Sequence, residues 1–514
     1  MWLVTVADLR ASLPWAIAIA ILAYSIIRVV YNVFFHPLRH FPGPWWAACS
    51  HWHELYFDVI QGGMFMWEIE RMHQKYGPIV RINPREIHIS DPSFYQEIYA
   101  GGSRRRHKDP QFTPMFSAPL SMIATNDHDH HRFRRSILNN FFSKRCVVQL
   151  EPMIQQKVDK LISRFTAAYA DGQIIATEDA YSALTADVIS FYSYGQSFDY
   201  LDHLTFNSVV RRGVHGMTHV VHFNRFFPIF AVLLKRLPVE FVRMLQPFAA
   251  KVMEMRNALK QRASDAVQSR TAKGERATIF GAMHGDEIPA VERTVERITD
   301  EAQILIAAGT ETTARVLVVL TYYLCLHRDV LLRLRKEIAQ LGTDRPTCTE
   351  LENLHQRDGI TNSAQRAVIN EGLRLSIGLT IRLPRIAPDE DLVYDDWVIP
   401  RGTPVSSLSY LIAMNPDIFP DPKTFNPDRW LEAAAKGQNL TQFITNFTKG
   451  SRSCLGINLA YAELYLTTAA VASRLDMELC DTAIENIWPH RDFGVAFTKE
   501  DSFGVKVVIK KVLY

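Results

Sequence analysis

Cysteine is scarce. Cys49, Cys146, Cys325, Cys348, Cys454 and Cys480 are the six in 514 residues, and no two form a CxxC pair. Scattered single thiols exclude a disulfide framework and fit a reducing compartment. Charge of one sign is lacking too. With 57 Lys and Arg against 54 Asp and Glu, the net charge is +3, too little to argue for nucleic acid as the main partner. The 18 histidines contain no HExxH, and therefore no metalloprotease-type zinc helix. There is no GxGxxG, and therefore no nicotinamide- or flavin-binding turn in the chain. Internal repeats and low-complexity tracts are also missing. What remains is globular composition, 47% hydrophobic and 22% charged, with length for a large core in several domains or one oversized one.

One long apolar run is present, at the N-terminus. Leu13 to Ile27 is interrupted only by Tyr24 and Ser25, and after Arg28 the run continues from Val29 to Phe35. As a helix, Ala11 to Phe35 is long enough to cross about 30 Å of hydrocarbon. A cleavable signal peptide is the alternative, but no small-residue cleavage site follows. His36-Pro37-Leu38-Arg39-His40-Phe41-Pro42-Gly43-Pro44 comes next, and its prolines stop the helix. Residues 1–35 thus read as a membrane anchor, 36–44 as a proline-rich hinge and 45–514 as one large domain. Arg28, Arg39 and the histidines after the span place that domain on the cytosolic side.

Hydrophobic periodicity predicts helices over 128–170, 176–195, 240–270, 290–327, 329–341 and 362–376. A strand pair is expected over 80–89 with a turn at Asn83-Pro84, short strands over 383–408, and a last strand from Phe503 to Ile509. Residues 264–290 are polar and interrupted by Gly and Pro, and read as a loop. The fold class is mainly α with small β-sheets.

Four stretches carry chemistry. Phe447-Thr448-Lys449-Gly450-Ser451-Arg452-Ser453-Cys454-Leu455-Gly456 sets a cysteine between two glycines before an amphipathic helical pattern. Amide dipoles at a helix N-terminus stabilise a thiolate. Gly450 and Gly456 allow close approach of the backbone to a flat ligand. Phe447 can pack on that ligand and Arg452 can meet a carboxylate. The bland alternative is a buried free thiol. Ala308-Gly309-Thr310-Glu311-Thr312-Thr313 puts poor helix formers inside the 290–327 helix. That local conflict marks a site: Gly309 leaves room for a ligand, and Thr312 with Glu311 can relay protons. The alternative is a Thr-rich helix packed in a core. Glu371-Gly372-Leu373-Arg374 places opposite charges on one helix face. Glu68-Ile69-Glu70-Arg71 has the same spacing and reads as a solvated surface pair. The fourth stretch is His130-His131-Arg132-Phe133-Arg134-Arg135, whose bland reading is a polar helix face.

Together, and in their order along the chain, these stretches resemble the cytochrome P450 superfamily. FxxGxRxCxG looks like its haem-binding signature, and the likeness runs from the anchor to the last strand. The resemblance implies a cytochrome P450 fold, with one haem-thiolate monooxygenase domain over 45–514. It implies haem b with Cys454 as axial thiolate, which favours O–O cleavage, and Gly309, Glu311 and Thr312 above it in oxygen activation. It implies a structural network of Glu371, Arg374 and Arg429, the last in Phe425-Asn426-Pro427-Asp428-Arg429-Trp430. His130 and Arg134, four apart, fit a pair that meets a haem propionate. His131 and Arg135 fit one residue later, so the register stays open. Arg385 matches a further propionate position. Electrons come from a membrane-bound NADPH-cytochrome P450 reductase, with cytochrome b5 as an optional second donor. Arg132, Arg135, Lys144 and Arg145 form either a basic docking patch for it or a solvated face. The implied location is the endoplasmic reticulum membrane.

The family's variable substrate regions map to roughly 103–125, 205–235, 302–313, 377–383 and 498–503. Their Phe, Met, Ile, Leu and Val content suits a lipophilic substrate arriving from the membrane. The stretches 123–132 and 141–144 are similar to fungal secondary-metabolism members, including trichodiene-oxygenase-like enzymes. A terpenoid is the first expectation and a polyketide or polyketide hybrid the second. An isomerase or dehydratase that needs no dioxygen is the rival chemistry, and Glu311-Thr312 argues against it.

Overall fold

The computed structural model describes residues 6–206, 209–268, 278–353, 363–499 and 504–513, with side chains from Leu13 onward apart from 266–268. Phe503, the expected start of the last strand, lies outside the described residues, as do parts of two of the mapped substrate regions.

The apolar N-terminal run forms the helix Val6–Val30, continued by the wider turn Tyr31–Phe35. The most apolar window of Leu13–Phe35 is not buried by the rest of the chain, and in its last turns Asn32 is the buried residue. The proline-rich segment after it is not a loose linker: Pro37–His40 is a short 3-10 turn, and Leu38 and Phe41 enter an apolar cluster.

The rest is built around the helix Val295–Leu326. Thr294 caps its start by accepting the Arg297 N–H. It packs against Thr177–Tyr194, Pro247–Gln268, Ala364–Ser376 and Ile457–Arg474, inside one continuous apolar core. Its apolarity would pass for a membrane span, yet most of it is enclosed by these neighbours. The pattern over 128–170 is two helices, His128–Asn139 and Lys144–Ala170, because Ser143 caps a new start at Lys144 by accepting the Cys146 N–H. The expected loop over 264–290 is partly helical: Pro247–Gln268 runs into it and Ile279–Met283 follows.

Strands are few and short. The largest sheet has the spatial order Ile79–Asn83, Glu86–Ile89, Pro404–Ser406, Arg385–Ile386, His107–Lys108. Its edge pairs Lys108 directly with Arg385. The last strand, Lys506–Val512, pairs with Leu475–Leu479 and Ile175–Ala176.

Candidate active site

The cysteine loop folds back on itself through a bond from the Cys454 N–H to Phe447 O, 2.8 Å. Gly450 stands at φ +70°, and a Cβ there would lie 2.2 Å from the carbonyls of Tyr99 and Ala100, so only glycine fits. Gly456 has no such reason: its φ is ordinary and a Cβ would meet nothing within 4 Å. The space beside Gly456 is therefore not needed by the protein's own packing. Phe447 packs on Tyr461, 5.3 Å between ring centres. Cys454 is accessible by area, yet its thiol is pushed up by burial, opposed by the Gly456 N–H and by Arg135. Both statements hold if Sγ opens into an internal cleft and not onto the outer surface.

Around that loop the structure gathers cations. Arg452 donates to the carbonyls of Arg106, Thr125, Asn126 and Asp127 at 2.6–3.0 Å. Arg385 donates to Leu383 O and Pro384 O, Lys108 to Ile123 O, and Arg135 to Ser453 O. Every one of these bonds goes to a backbone carbonyl and none to a carboxylate. Burial, with Arg385 beside it, lowers Arg452 to about 9. Burial, Arg385 and Arg452 push Lys108 well below its ordinary value. His131 is buried and held at about 2 by burial and by Arg452, Lys108, Arg135 and Arg385. Like charges directly opposite on neighbouring strands, as Lys108 and Arg385 are, destabilise a sheet unless an anion lies between them. The cluster fits a dianionic group such as the two propionates of a haem.

His130 and Arg134 are elsewhere. His130 Nε2 lies 2.7 Å from Glu292, and Arg134 makes a forked pair with the same carboxylate. Arg297 joins them. Burial alone would raise Glu292, but Arg134 and His130 hold it at about 2. The pair that faces the cation cluster is His131 and Arg135. Arg135 is thereby withdrawn from the expected surface patch, while Arg132, Lys144 and Arg145 remain exposed.

In the central helix, 302–307 and 313–324 are buried, yet Ala308 is exposed and Gly309, Glu311 and Thr312 are half-buried. An accessible stretch in the middle of a core helix means a cleft runs along it. The Thr312 hydroxyl donates to Ala308 O, 2.8 Å. Gly309 does not face that cleft: a Cβ there would lie 2.9 Å from Ile189 of the 177–194 helix. Its missing side chain permits helix–helix approach, not ligand contact.

Glu371 is fully buried. Arg374 forks onto it at 2.8 and 3.0 Å, and Arg429 reaches it at 3.2 Å. Trp430 Nε1 and the Asn426 N–H, not expected as members, each donate to it at 2.9 Å. The arginines' remaining donors take carbonyls at 413, 420, 422 and 424. Asn446, just before the cysteine loop, donates to Leu373 O on the same helix, so the network and the loop share a support. At the other ExxR, Glu68 is buried and also meets His53, while Arg71 is exposed. That pair is half surface, half core.

The sequence profile of the cytochrome P450 family matches residues 42–503. The chain is 44% identical over 484 residues to conidiogenone synthase PchP450 of Penicillium rubens, covering 94% of this chain and 96% of that one. It is 43% identical over 475 residues to cytochrome P450 monooxygenase TRI4 of Fusarium sporotrichioides, covering 92% and 90%. It is 41% identical over 502 residues to cytochrome P450 monooxygenase astB of Aspergillus terreus, covering 96% and 95%. The chain belongs to the cytochrome P450 family, and it is an oxidoreductase of the monooxygenase kind. Membership implies a haem held by a cysteine thiolate.

Proposed function

We propose that the chain inserts one oxygen atom of dioxygen into a lipophilic fungal secondary metabolite of terpenoid type, using haem b held by Cys454. The observation that carries the cofactor assignment is the set Lys108, Arg135, Arg385 and Arg452, whose printed side-chain bonds reach backbone carbonyls, gathered around the buried His131. Haem, when bound, supplies dioxygen activation and electron transfer. The chain's own residues do the rest. The Gly456 N–H and Arg135 favour the thiolate form of Cys454. Thr312 moves a proton from its hydroxyl into the cleft, and Glu311 returns one from the solvent side. His131 and Arg135 replace His130 and Arg134 as the propionate pair. His131→Ala and Arg135→Ala should each speed haem loss to apomyoglobin, whereas His130→Ala should leave it at the wild-type rate. Equal acceleration by His130→Ala would restore the earlier register.

Several features support a lipophilic substrate from the membrane. Phe112, Met115, Val221, Ile381 and Phe493 form one apolar cluster that joins three of the mapped substrate regions. Trp52, Ile60, Ile229, Phe230 and Met244 are exposed on the outside, a second apolar contact beside the anchor of residues 1–35 in the endoplasmic reticulum membrane. Arg132, Lys144 and Arg145 offer a basic face to NADPH-cytochrome P450 reductase.

The test is co-expression with the reductase and candidate terpenes under labelled dioxygen. A product carrying one labelled atom is expected. Turnover without NADPH or oxygen would favour the isomerase instead. Thr312→Ala should bind haem and substrate normally and consume NADPH. It should yield less product and more hydrogen peroxide per NADPH, toward the low end of the roughly 10²–10⁴-fold worth of a placed donor, since water can substitute. Unchanged product per NADPH would remove Thr312 from the site.

A further inference from the structure

Two neighbouring carboxylates early in the central helix hold part of the first mapped substrate region by its backbone. Asp300 Oδ2 accepts the Leu120 N–H and Glu301 Oε2 accepts the Met122 N–H, each at 2.8 Å. Both carboxylates are buried, with Arg256 and Arg297 as their counter-ions. The loop over 117–125 is tied at its ends as well. Ser117, at φ +56°, accepts Asn224 Nδ2 on its hydroxyl at 2.6 Å and Lys235 Nζ on its carbonyl at 2.7 Å. Ile123 O accepts from Lys108, and Thr125 accepts Arg134 on its hydroxyl at 2.8 Å and Arg452 on its carbonyl at 2.7 Å. Among the described hydrogen bonds, only Asp300 and Glu301 hold the middle of the loop from another element. The links also close a ring. Arg297 donates to Glu301 at 2.5 Å and to Glu292 at 3.1 Å, Arg134 donates to Glu292 at 2.8 Å and to Thr125, and the chain runs from Thr125 back to Met122.

We propose that Asp300 and Glu301 are positioning residues for regioselectivity: by pinning the 117–125 loop over the cleft they decide which carbon of the lipophilic substrate is oxidised. The inference rests on the reading of Thr312 and the cleft given above. At about 100° per residue, Glu301, Ala308 and Thr312 fall on one face of the helix Val295–Leu326. A loop hung on Glu301 therefore lies on the face where Ala308 and Thr312 open into the cleft, three turns from the acid–hydroxyl pair. The same loop follows directly on Met115, which packs with Phe112, Val221 and Ile381 in the apolar cluster between substrate regions. A loop has no ladder to satisfy its amides, so buried N–H groups need acceptors from elsewhere. A carboxylate is the strong choice. Two such acceptors, on N–H groups two residues apart, fix both the height of the loop above the helix and its rotation. Neither carboxylate touches the substrate; both act through the backbone of Leu120 and Met122.

The experiment uses the haem-loaded, full-length protein and two readouts. Backbone hydrogen exchange over 117–125, followed by mass spectrometry without turnover, reads the pinning. Glu301→Leu should speed exchange there roughly 10–100-fold, the worth of a hydrogen bond to a charged acceptor, while 144–170 keeps the wild-type rate. Glu301→Gln retains an acceptor oxygen and should stay near wild type. Product analysis under labelled dioxygen, with the candidate terpenes used above, reads the consequence. Glu301→Leu should change the ratio of regioisomers severalfold at wild-type haem content, and Glu301→Gln should restore the wild-type ratio. Asp300→Ala, whose counter-ion Arg256 is 25% exposed, should behave as Glu301→Leu does, and it carries both readouts if Glu301→Leu fails to hold haem. Unchanged exchange in these variants, or exchange in Glu301→Gln as fast as in Glu301→Leu, would overturn the pinning. Faster exchange with the wild-type ratio of regioisomers would overturn its link to selectivity while leaving the monooxygenase reading intact. A wild-type enzyme that makes no labelled product from any of these terpenes would instead count against the substrate reading, and the inference would fall with it.

Discussion

Cys454→Ala protein should be free of the red-shifted Soret band that a thiolate-ligated haem gives when reduced under carbon monoxide, and its turnover should be lost entirely. Each of the other thiols is less suited as a ligand. Burial pushes Cys325 up to about 12 and Cys348 higher still, and raises Cys49. Cys146 and Cys480 are half-buried. Cys454 alone combines accessibility from a cleft with the Gly456 N–H and the nearby Arg135. Single Cys→Ala changes at Cys325 or Cys348 should leave the band in place. If one of those removes it and Cys454→Ala keeps it, the ligand has been misassigned.

The second large effect is on folding. Glu371→Ala removes the one carboxylate that Arg374, Arg429, Trp430 and the Asn426 N–H share. Two guanidinium groups then remain in a site without a counter-charge. Breaking such a buried pair costs about 3–5 kcal/mol, a large part of the roughly 5–15 kcal/mol by which native proteins are stable. Because Asn446 ties the same helix to the cysteine loop, the damage should include haem retention. The expected outcome is insoluble or haem-free protein on expression, read by the ratio of Soret to protein absorbance. Arg71→Ala is the control at the other ExxR. Its guanidinium is 55% exposed, so the loss should stay within about 1 kcal/mol. A soluble, haem-loaded Glu371→Ala enzyme that merely turns over slowly would move Glu371 from the folding network to the reaction.

Some of this was legible in the chain because the signal is local. The apolar run at the N-terminus, the paired strands around Asn83-Pro84 and the glycine-flanked cysteine each lie within a few consecutive residues, where backbone preference and side-chain chemistry point the same way. The helix Val209–Phe226 was not legible. Gly213 and Gly216 are poor helix formers, but a Cβ at either would collide with Met255 or with Phe248 O; they exist to let two helices touch. Gly309 misled in the same manner, since its neighbour Ile189 is far away in sequence.

Local chemistry along the chain was therefore enough for the family and for the long apolar helix at the N-terminus. It could not choose between His130 and His131. Successive residues on a helix differ by about 100°, so His131 faces the cations Lys108, Arg135, Arg385 and Arg452 while His130 faces Glu292, and that choice depends on where a distant glutamate lands. Lys108 carried no signal at all, because its meaning arises from lying opposite Arg385 across a strand pair. The same holds for Trp430 on Glu371. Charges acquire a role here from the partners that burial brings within reach, and those partners are separated by tens to hundreds of residues.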